Sequence, residues 1–432
     1  QVWRTTLERT HANLYLYISK TELDKTFDSI YVHIDTPMTA LKFYSYITPL
    51  VSVIKDGHNY IHPNKGLTGY YDKNELFFPF HVVYLDKKLL IDMNLSNDTI
   101  VKDGMEILSI NGISSEQIIN ELFKRQPRDG FNETYPLWIL NNWFREYYSY
   151  VFGHPTMFSL SIRTPDNSIL EKEISALTKD SILHLRKRLY AERVMVNENK
   201  KAIVFKTIDS SKVGILTIYT FSGKIKKQYH QSFKKEIKSA FAEIKNNKSE
   251  HLILDLRNNQ GGASKYGSYL LSFLLDKPFT YIKELYAVKK TPSESEEGRL
   301  KRVNVNRIKS IKPVANPFSG DVYLLINGGS FSNSGILSSC LETYKRAIII
   351  GEEAGGNKTV LTSEFSVSPK TTLPNTKIVC DKPDYRTIIR DISLNDGHGV
   401  FPEYKIIPTI DDIIKNKDVV MEKAFELIEK GK

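Results

Sequence analysis

The sequence predicts an α/β core, with a mostly parallel sheet and helices on both faces, preceded by a helical N-terminal region and a small β-rich region. From about residue 200, apolar runs typical of buried strands, such as Val213–Ile218, alternate with stretches of helical periodicity. Strands that alternate with helices indicate a parallel sheet covered on both faces. Before residue 179 the pattern gives helices first and then short, separate strands, which predicts two further regions.

The N-terminal region, residues 1–72, is predicted to be helical. Leu23, Phe27 and Ile30 recur at helical spacing, and a second apolar set follows over residues 41–47. Proline and glycine residues between positions 57 and 69 then interrupt the helical pattern. The sequence therefore places His58 in a loop at the end of the helical region.

Residues 73–178 form the predicted β-rich region. Apolar runs over residues 77–84 and 89–93 are separated by turn residues, and Asn111-Gly112 is typical of a tight turn. Residues 138–148, with Trp138 and Trp143, form an aromatic helical insertion, and the favoured interpretation is packing between domains.

Residues 200–432 form the predicted α/β core. Within it, the segment 289–312 is charged and poor in apolar residues, so we expect an exposed loop or lid there. The chain ends in an amphipathic pattern in which Val420, Ala424 and Ile428 share one face. This pattern predicts a terminal helix that packs on the core.

The net charge of +10 comes from lysines spread along the 432 residues. Nucleic-acid-binding proteins carry a basic stripe or a recognisable module, so this pattern indicates no nucleic-acid partner. Diffuse positive charge instead suits solubility and attracts anionic groups such as a peptide carboxylate. No apolar run of about eighteen residues occurs, which predicts no transmembrane segment.

Cys340 and Cys380 are the two cysteines, and their spacing matches no zinc or redox motif. The pattern favours two buried thiols and leaves one disulfide open. The chain also has no HExxH motif and no EF-hand loop, and the His58/His62 pair has no third ligand beside it. We therefore expect no metal and no cofactor.

A glycine-rich turn, residues 254–263, follows one buried strand and precedes a helix. Gly261 and Gly262 can direct backbone N–H groups into open space, which suits a developing oxyanion and suits a phosphate equally well. The glycine spacing fits neither a P-loop nor a dinucleotide fingerprint. Taken by itself, the segment is best interpreted as a plain tight turn.

A second strand end carries Ser330, Ser332 and Ser334 where a strand turns into a helix. A serine in this position is most often a helix N-cap, and the alternative is a nucleophile near the positive end of the helix. A serine nucleophile needs a base within hydrogen-bond reach. His58 and His398 lie in glycine-containing loops, and either can converge on the serine in space.

Four segments together resemble the serine peptidases related to the tail-specific (C-terminal processing) proteases, the tricorn core protease and the interphotoreceptor retinoid-binding protein repeats. They are the opening strand of the core (213–218), the "DLRxNxGG" loop (254–262), the nucleophile helix with its following strand (330–352), and the "EGxGVxPD" segment (396–403). Residues 101–113 resemble the core of a PDZ domain, which this family often carries, so the region 73–178 is interpreted as PDZ-like.

The resemblance implies that Ser332 is the nucleophile of a serine peptidase. It also implies that the oxyanion is held by the backbone N–H of Asn333 and that of Gly261 or Gly262. The expected reaction is peptide hydrolysis through an acyl-enzyme on Ser332, with peptides or unfolded proteins as substrates.

The family uses two kinds of base. The tail-specific branch uses a lysine at a position that is Asn357 here, with Lys358 beside it. The tricorn-like branch uses a histidine and a carboxylate, which correspond here to His58 and Asp396. The missing lysine and the presence of His58 favour His58 as base, with Asp396 orienting its imidazole and Lys358 as the alternative base.

An alternative function is a catalytically inactive protein on the same core that binds peptides or hydrophobic ligands, as the retinoid-binding relatives suggest. A PDZ-like region implies either recognition of a C-terminal peptide or a gate to the core. The chain starts at Gln1 rather than Met, which is compatible with a removed signal peptide. We expect an exported bacterial protein, in the periplasm or at the cell surface, with a lipid anchor on a removed segment left open. The oligomeric state is left open too.

Overall fold

The structure is a computed structural model that describes residues 1–34, 36–194, 201–208, 212–289, 296–304, 308–363 and 370–431. Within these residues, every helix is too short or too polar to cross a membrane.

The N-terminal region is helical, as its periodicity predicts. Its elements are α1 (Val2–Thr10), α2 (Lys20–Val32), α3 (Ala40–Ile47), α4 (Pro49–Ile54), the short strand β1 (Ile61–His62) and α5 (Lys65–Asn74). Helix α4 ends at Ile54, and the next residue, Lys55, has a left-handed φ of 57°. Because that conformation cannot continue a helix, the chain turns at Lys55 into the loop that carries His58.

The middle region combines an antiparallel sheet with an inserted helical segment. Its elements are β2 (Leu76–Phe77), β3 (Phe80–Leu85), β4 (Lys88–Asn94), β5 (Glu106–Ile110), β6 (Ile113–Ser114), α6 (Ser115–Phe123), α7 (Thr134–Phe152), β7 (Met157–Arg163), β8 (Ile169–Ser175), β9 (Leu177–Thr178), α8 (Lys179–Leu189) and α9 (Ala191–Val194). The sheet order is β3-β4-β5-β7-β8, with β6 on β5. Asn111 and Gly112 both have positive φ between β5 and β6, which is the tight turn that the sequence predicts.

The C-terminal region contains the α/β core. Its elements are β10 (Ile203–Ile208), β11 (Val213–Ile218), α10 (Ile225–Tyr229), α11 (Phe233–Asn246), β12 (His251–Asp255), α12 (Ser264–Leu271), β13 (Glu284–Val288), α13 (Glu296–Arg299), β14 (Leu300–Arg302), β15 (Asp321–Ile326), α14 (Asn333–Thr343), β16 (Ile348–Gly351), β17 (Val360–Ser363), β18 (Thr371–Thr372), β19 (Val379–Cys380), β20 (Tyr385–Ile388), β21 (Tyr404–Lys405), α15 (Ile410–Ile414) and α16 (Val419–Glu429).

The central sheet has the order β10-β11-β12-β15-β16-β21. Within this sheet β11, β12, β15, β16 and β21 run parallel to one another, and β10 is antiparallel to β11. Side chains of β12 alternate between the two faces: Leu252 and Leu254 join one apolar core and Ile253 joins the other. Each fully buried side chain of this kind contributes roughly 1.5–3 kcal/mol. The carboxyl ends of β12 and β15 meet at one edge, where the glycine-rich turn and Ser332 follow.

The segment 289–312 differs from the predicted loop or lid over the part that the structure describes. Residues 290–295 and 305–307 lie outside the described residues. Between them, α13 leads into β14, which pairs antiparallel with β13. The buried Arg299 side chain donates to the backbone carbonyl of Glu8. A charged segment forms this strand because β13 offers it a hydrogen-bonding edge, a long-range contact that composition does not reveal.

Cys340 and Cys380 are both free and buried, which confirms the interpretation as two buried thiols. Burial raises the pKa of Cys340 to about 12, and it also raises the pKa of Cys380. Both side chains therefore remain thiols at neutral pH and pack as small apolar groups.

Candidate active site

Ser332 lies between β15 and α14 on a strained turn. Its backbone has φ 55° and ψ −117°, a conformation that costs a non-glycine residue roughly 1–3 kcal/mol. The turn is held by Ser330, whose Oγ donates to the carbonyl of Leu256 at 2.8 Å. The Ser332 side chain makes no capping bond to α14, so the N-cap interpretation is wrong for this residue.

His58 meets Ser332 across 274 positions of sequence. Nε2 of His58 lies 3.0 Å from Oγ of Ser332, which is the distance that a base and its nucleophile require. The imidazole also packs on the Phe331 ring, with 4.6 Å between centroids. Burial lowers the pKa of His58 to about 4, although the charge of Asp381 acts in the opposite direction. At neutral pH the imidazole is therefore uncharged and able to accept the Ser332 proton.

Two buried carboxylates next to His58 are not in the predicted site. Asp56 accepts from the backbone N–H of His58 at 2.8 Å, and Asp129 accepts from the N–H of Gly57 at 2.7 Å. One ring nitrogen of His58 and one oxygen of each carboxylate all lie within 4.8 Å of one another. Asp56 precedes His58 by two residues, so the Asp-Gly-His sequence was the available signal. Asp129 lies in the loop between α6 and α7 and has no local signal.

Asp396, the predicted partner of His58, makes other contacts. Its Oδ2 accepts from Lys358 Nζ at 2.7 Å and its Oδ1 accepts from the N–H of His398 at 3.0 Å. The Asp396 side chain is 47% exposed, whereas His58 Nδ1 is buried without a hydrogen-bond partner among the described residues. The prediction that Asp396 orients the imidazole is therefore wrong for this structure. The physical reason is that the neighbouring ammonium of Lys358 pairs with this exposed carboxylate.

The predicted alternative base, Lys358, is paired with Asp396 and lies over the Phe401 ring, 5.4 Å from its centroid. Its ammonium is thus directed to a carboxylate, whereas the His58 imidazole contacts Ser332. Asn357 occupies the position of the lysine in the tail-specific branch. It is buried and makes hydrogen bonds within its own loop. Its Oδ1 accepts from the backbone N–H of Thr359 at 2.7 Å.

His398, the other loop histidine that the sequence offered as base, is held elsewhere. Its Nδ1 lies 3.1 Å from Glu353 Oε1. His398 is therefore paired with the carboxylate of Glu353.

The glycine-rich turn lies directly against Ser332 and Asn333. A Cβ on Gly261 would lie 2.5 Å from the Asn333 nitrogen, and one on Gly262 would lie 2.4 Å from the Phe221 carbonyl, so only glycine fits at either position. The N–H of Gly261 donates to Asn259 Oδ1 at 2.9 Å, which excludes it as an oxyanion donor. Among the described residues, the N–H groups of Gly262 and Asn333 have no such partner and remain available for an oxyanion.

Tyr281 holds the first residue of α14 in place. Its hydroxyl donates to Asn333 Oδ1 at 2.7 Å, while Asn333 Nδ2 donates to the carbonyl of Ala263 at 3.2 Å. The Asn333 side chain thereby ties α14 to the glycine-rich turn. Tyr281 lies more than fifty residues before Asn333 and has no motif around it, so the sequence carries no signal for this contact.

A cavity of about 710 Å³ opens onto Ser332, His58 and Gly262. Helix α7 forms much of its wall. Aromatic side chains line the cavity from this helix, namely Tyr135, Trp143, Tyr147 and Tyr150, and from the N-terminal region, namely Tyr44 and Tyr60. The Tyr135 ring stacks on Phe331, next to Ser332, with 4.1 Å between centroids. The interpretation of the aromatic insertion as packing between domains is therefore incomplete, because it also lines the site.

Residues 212–406 match the family described as peptidase family S41. This part of the chain is similar to the peptidases of family S41. The matched residues include Ser332 and the glycine-rich turn, and they confirm the resemblance that the four segments predicted. His58 lies outside them, in the N-terminal region.

Curated relatives have corresponding names. The tail-specific protease of Haemophilus influenzae is 24% identical over 173 residues, which cover 40% of this chain and 21% of that protein. The chloroplastic carboxyl-terminal-processing peptidase 2 of Arabidopsis thaliana is 26% identical over 249 residues, covering 57% and 41%. This chain thus spans less than half the length of either relative.

The fold has a solved counterpart over nearly its whole length. The crystal structure of mature CPAF superposes with a TM-score of 0.66 and covers 99% of this chain and 97% of that one, at 15% sequence identity. At this identity the likeness concerns the fold. It confirms the mixed helix-and-sheet architecture.

Proposed function

We propose that this protein is a serine peptidase that cleaves peptide bonds through an acyl-enzyme on Ser332. The observation that carries the proposal is the 3.0 Å contact between Ser332 Oγ and His58 Nε2. It is supported by the strained backbone of Ser332, which turns the hydroxyl away from the helix. The S41 family match over residues 212–406 supports the same class of reaction.

In the proposed reaction, Ser332 Oγ attacks the peptide carbonyl while His58 Nε2 takes the hydroxyl proton. The carbonyl oxygen becomes an oxyanion that the N–H groups of Gly262 and Asn333 stabilise. His58 then gives its proton to the leaving amine, and the C–N bond breaks to leave an ester on Ser332. A water molecule, deprotonated by His58, hydrolyses the ester and restores the serine.

The aromatic lining of the cavity favours peptide substrates with bulky apolar side chains beside the cleaved bond. Its volume of about 710 Å³ is within the range of roughly 300–1,000 Å³ that is usual for ligand sites. Relatives named for carboxyl-terminal processing support cleavage near the C-termini of proteins. Export, bacterial origin, the division into domains and peptide binding by the PDZ-like region stay predictions.

The same cavity also favours a second candidate function. Aromatic walls of this kind suit a hydrophobic ligand, and an inactive protein on this core would use the cavity for binding without hydrolysis. Extraction of a hydrophobic molecule from the purified protein, together with no cleavage of any peptide in a proteome-derived pool, would favour binding over catalysis.

A fluorophosphonate probe tests the proposal. We expect an adduct on Ser332 in the native protein and in Ser334→Ala, a matched serine variant two residues away, and no adduct in Ser332→Ala. Peptide hydrolysis should fall by several orders of magnitude in Ser332→Ala, with the circular dichroism spectrum unchanged. Undiminished hydrolysis by folded Ser332→Ala would rule out this nucleophile.

A further inference from the structure

We propose that Asp56 and Asp129 act together as the carboxylate partner of His58, sharing one proton so that the pair presents a single negative charge to the imidazole. Both are positioning residues, since neither touches the substrate. The inference rests on the proposed function, because it concerns the proton that His58 takes from Ser332.

The ring nitrogen of His58 that does not contact Ser332 is Nδ1. For Nε2 to accept the Ser332 proton, Nδ1 must carry the ring hydrogen. Nδ1 is buried and has no hydrogen-bond partner among the described residues, while one ring nitrogen of His58 and one oxygen each of Asp56 and Asp129 lie within 4.8 Å of one another. An imidazolium formed in such a buried place needs negative charge nearby, and these carboxylates are the groups placed to supply it.

Both carboxylates are held firmly in position. Asp56 Oδ1 also accepts from Thr362 Oγ1 at 2.7 Å, and Asp129 Oδ2 accepts from the N–H of Asn357 at 3.1 Å. Gly57 leaves the space that Asp129 fills, since a Cβ there would lie 2.8 Å from Asp129 Oδ1 and 2.7 Å from the Phe331 ring. The glycine beside His58 thus leaves room for this carboxylate.

The charge of the pair follows from its burial. Asp56 and Asp129 are both buried, and no lysine or arginine pairs with either among the described residues. Two adjacent negative charges without a cation are unfavourable in such a place, so one proton is retained. Consistent with this, burial raises the pKa of both carboxyls, and the charge of Asp129 raises that of Asp56 further.

The surrounding titratable groups do not compete for this role. His11 Nε2 lies 3.3 Å from Asp56 Oδ2, without the alignment of a hydrogen bond. Burial, with the charges of Arg299 and Arg386, lowers the pKa of His11 to about 3, so His11 is neutral. Tyr17 and Tyr135 also face the pair, and burial raises the pKa of both. The charged Asp381 on the cavity side is already paired with His62 and Lys370.

Neutralising the pair tests the proposal. In Asp56→Asn/Asp129→Asn we expect kcat to fall by roughly 10³- to 10⁴-fold, as when a catalytic histidine loses its carboxylate, with KM within about threefold. Each single variant retains one carboxylate and should lose less, about 10- to 100-fold. The matched control is Asp396→Asn, which should stay within about twofold of the native enzyme.

A histidine titration by NMR separates this inference from the proposed function, because it does not need turnover. Removing nearby negative charge disfavours the imidazolium, so the His58 pKa should fall in the double variant and the acid limb of kcat/KM should move to lower pH. A merely structural loss would lower the plateau without moving the limb. If the double variant does not fold, Asp129→Asn carries the same test.

The inference is overturned if the His58 pKa is unchanged in these variants, or if Asp396→Asn loses as much activity as they do. A metal ion held by Asp56, His58 and Asp129 would mimic the losses. We therefore expect dialysis of the native enzyme against EDTA to leave kcat unchanged; a loss that added zinc restores would also overturn the inference.

Discussion

Ser332 lies in a left-handed backbone conformation between β15 and α14, and this conformation distinguishes it from its neighbours. Ser330 and Ser334 are fully buried. The Ser330 hydroxyl donates to a backbone carbonyl, and the Ser334 hydroxyl has no hydrogen-bond partner among the described residues. Ser332 instead directs its hydroxyl to His58. The strain of this turn is tolerated because glycines at its base allow close approach: a Cβ on Gly328 would lie 2.2 Å from the Thr134 carbonyl.

His58 should take up its proton at a lower pH than is ordinary for a histidine. Burial disfavours the imidazolium, so the neutral base persists well below the ordinary histidine pKa of about 6.5. With the pKa lowered to about 4, the imidazole should stay uncharged from neutral pH down to about pH 5 and become charged below that. A histidine titration by NMR from pH 3.5 to 8, with folding checked at each pH, tests this. A His58 pKa near the ordinary value would contradict the burial argument.

Helix α7 shows how one element serves two regions. Its apolar residues Leu140 and Phe144 join the core of the β-rich region, while Tyr135 joins a cluster with Phe331 at the active site. Trp143, at the kink of this helix, has φ −134° and ψ 29° and is 39% exposed. The kink breaks the helical repeat and leaves this side chain at the cavity.

Trp143→Ala tests the role of the cavity wall. Because the side chain lines the cavity and is partly exposed, its loss should raise KM for peptides with bulky apolar side chains by about tenfold, as lost apolar contact of about 1–2 kcal/mol would do. The melting temperature should change little. Tyr70→Ala, which removes an exposed aromatic from α5, is the matched control and should leave KM unchanged. Equal KM values for both variants would contradict the assignment of the substrate to this cavity.

At the scale of the whole molecule, the site joins parts of the chain that are distant in sequence. The N-terminal region supplies His58, the β-rich region supplies Asp129 from a loop, and the α/β core supplies Ser332 and the glycine-rich turn. Strand β1 pairs with β19 of the C-terminal region, in the register Ile61 to Cys380. The residues matched to the S41 family, 212–406, therefore form only part of the site.

Arg386 on β20 provides a test of this assembly. It donates to the Asn13 side chain and, at 2.9 Å, to the Ala12 carbonyl, so it fixes the segment that carries His11. Arg386→Met should lower the free energy of unfolding by about 2 kcal/mol, since hydrogen bonds from a charged donor are lost. It should also lower kcat by up to about tenfold, because His11 of this segment lies 3.3 Å from Asp56 and a shift there would displace the carboxylate.

Urea denaturation and peptide hydrolysis measure the two effects. Arg302→Met is the control, because that side chain is 57% exposed and lies 3.7 Å from Glu284. A loss of stability in Arg386→Met without any change in kcat would show that the N-terminal segment contributes to folding but not to the site.

The sequence by itself determined the features that depend on neighbouring residues. Alternating apolar runs gave the strands and helices of the core, paired glycines gave the turn, and the serine-rich strand end gave candidate nucleophiles. These succeed because hydrophobic periodicity and turn chemistry act within a few residues. The resemblance then selected Ser332 and His58, which the structure brings within 3.0 Å.

Tertiary structure alone decided which carboxylate faces His58, which glycine N–H is free, and that α7 lines the site. Asp396 matched a motif but pairs with Lys358, whereas Asp129 matched none and lies beside the imidazole. A carboxylate's role depends on which charges and amides surround it after folding. Those neighbours come from loops up to hundreds of residues apart, so no local pattern in the sequence specifies them.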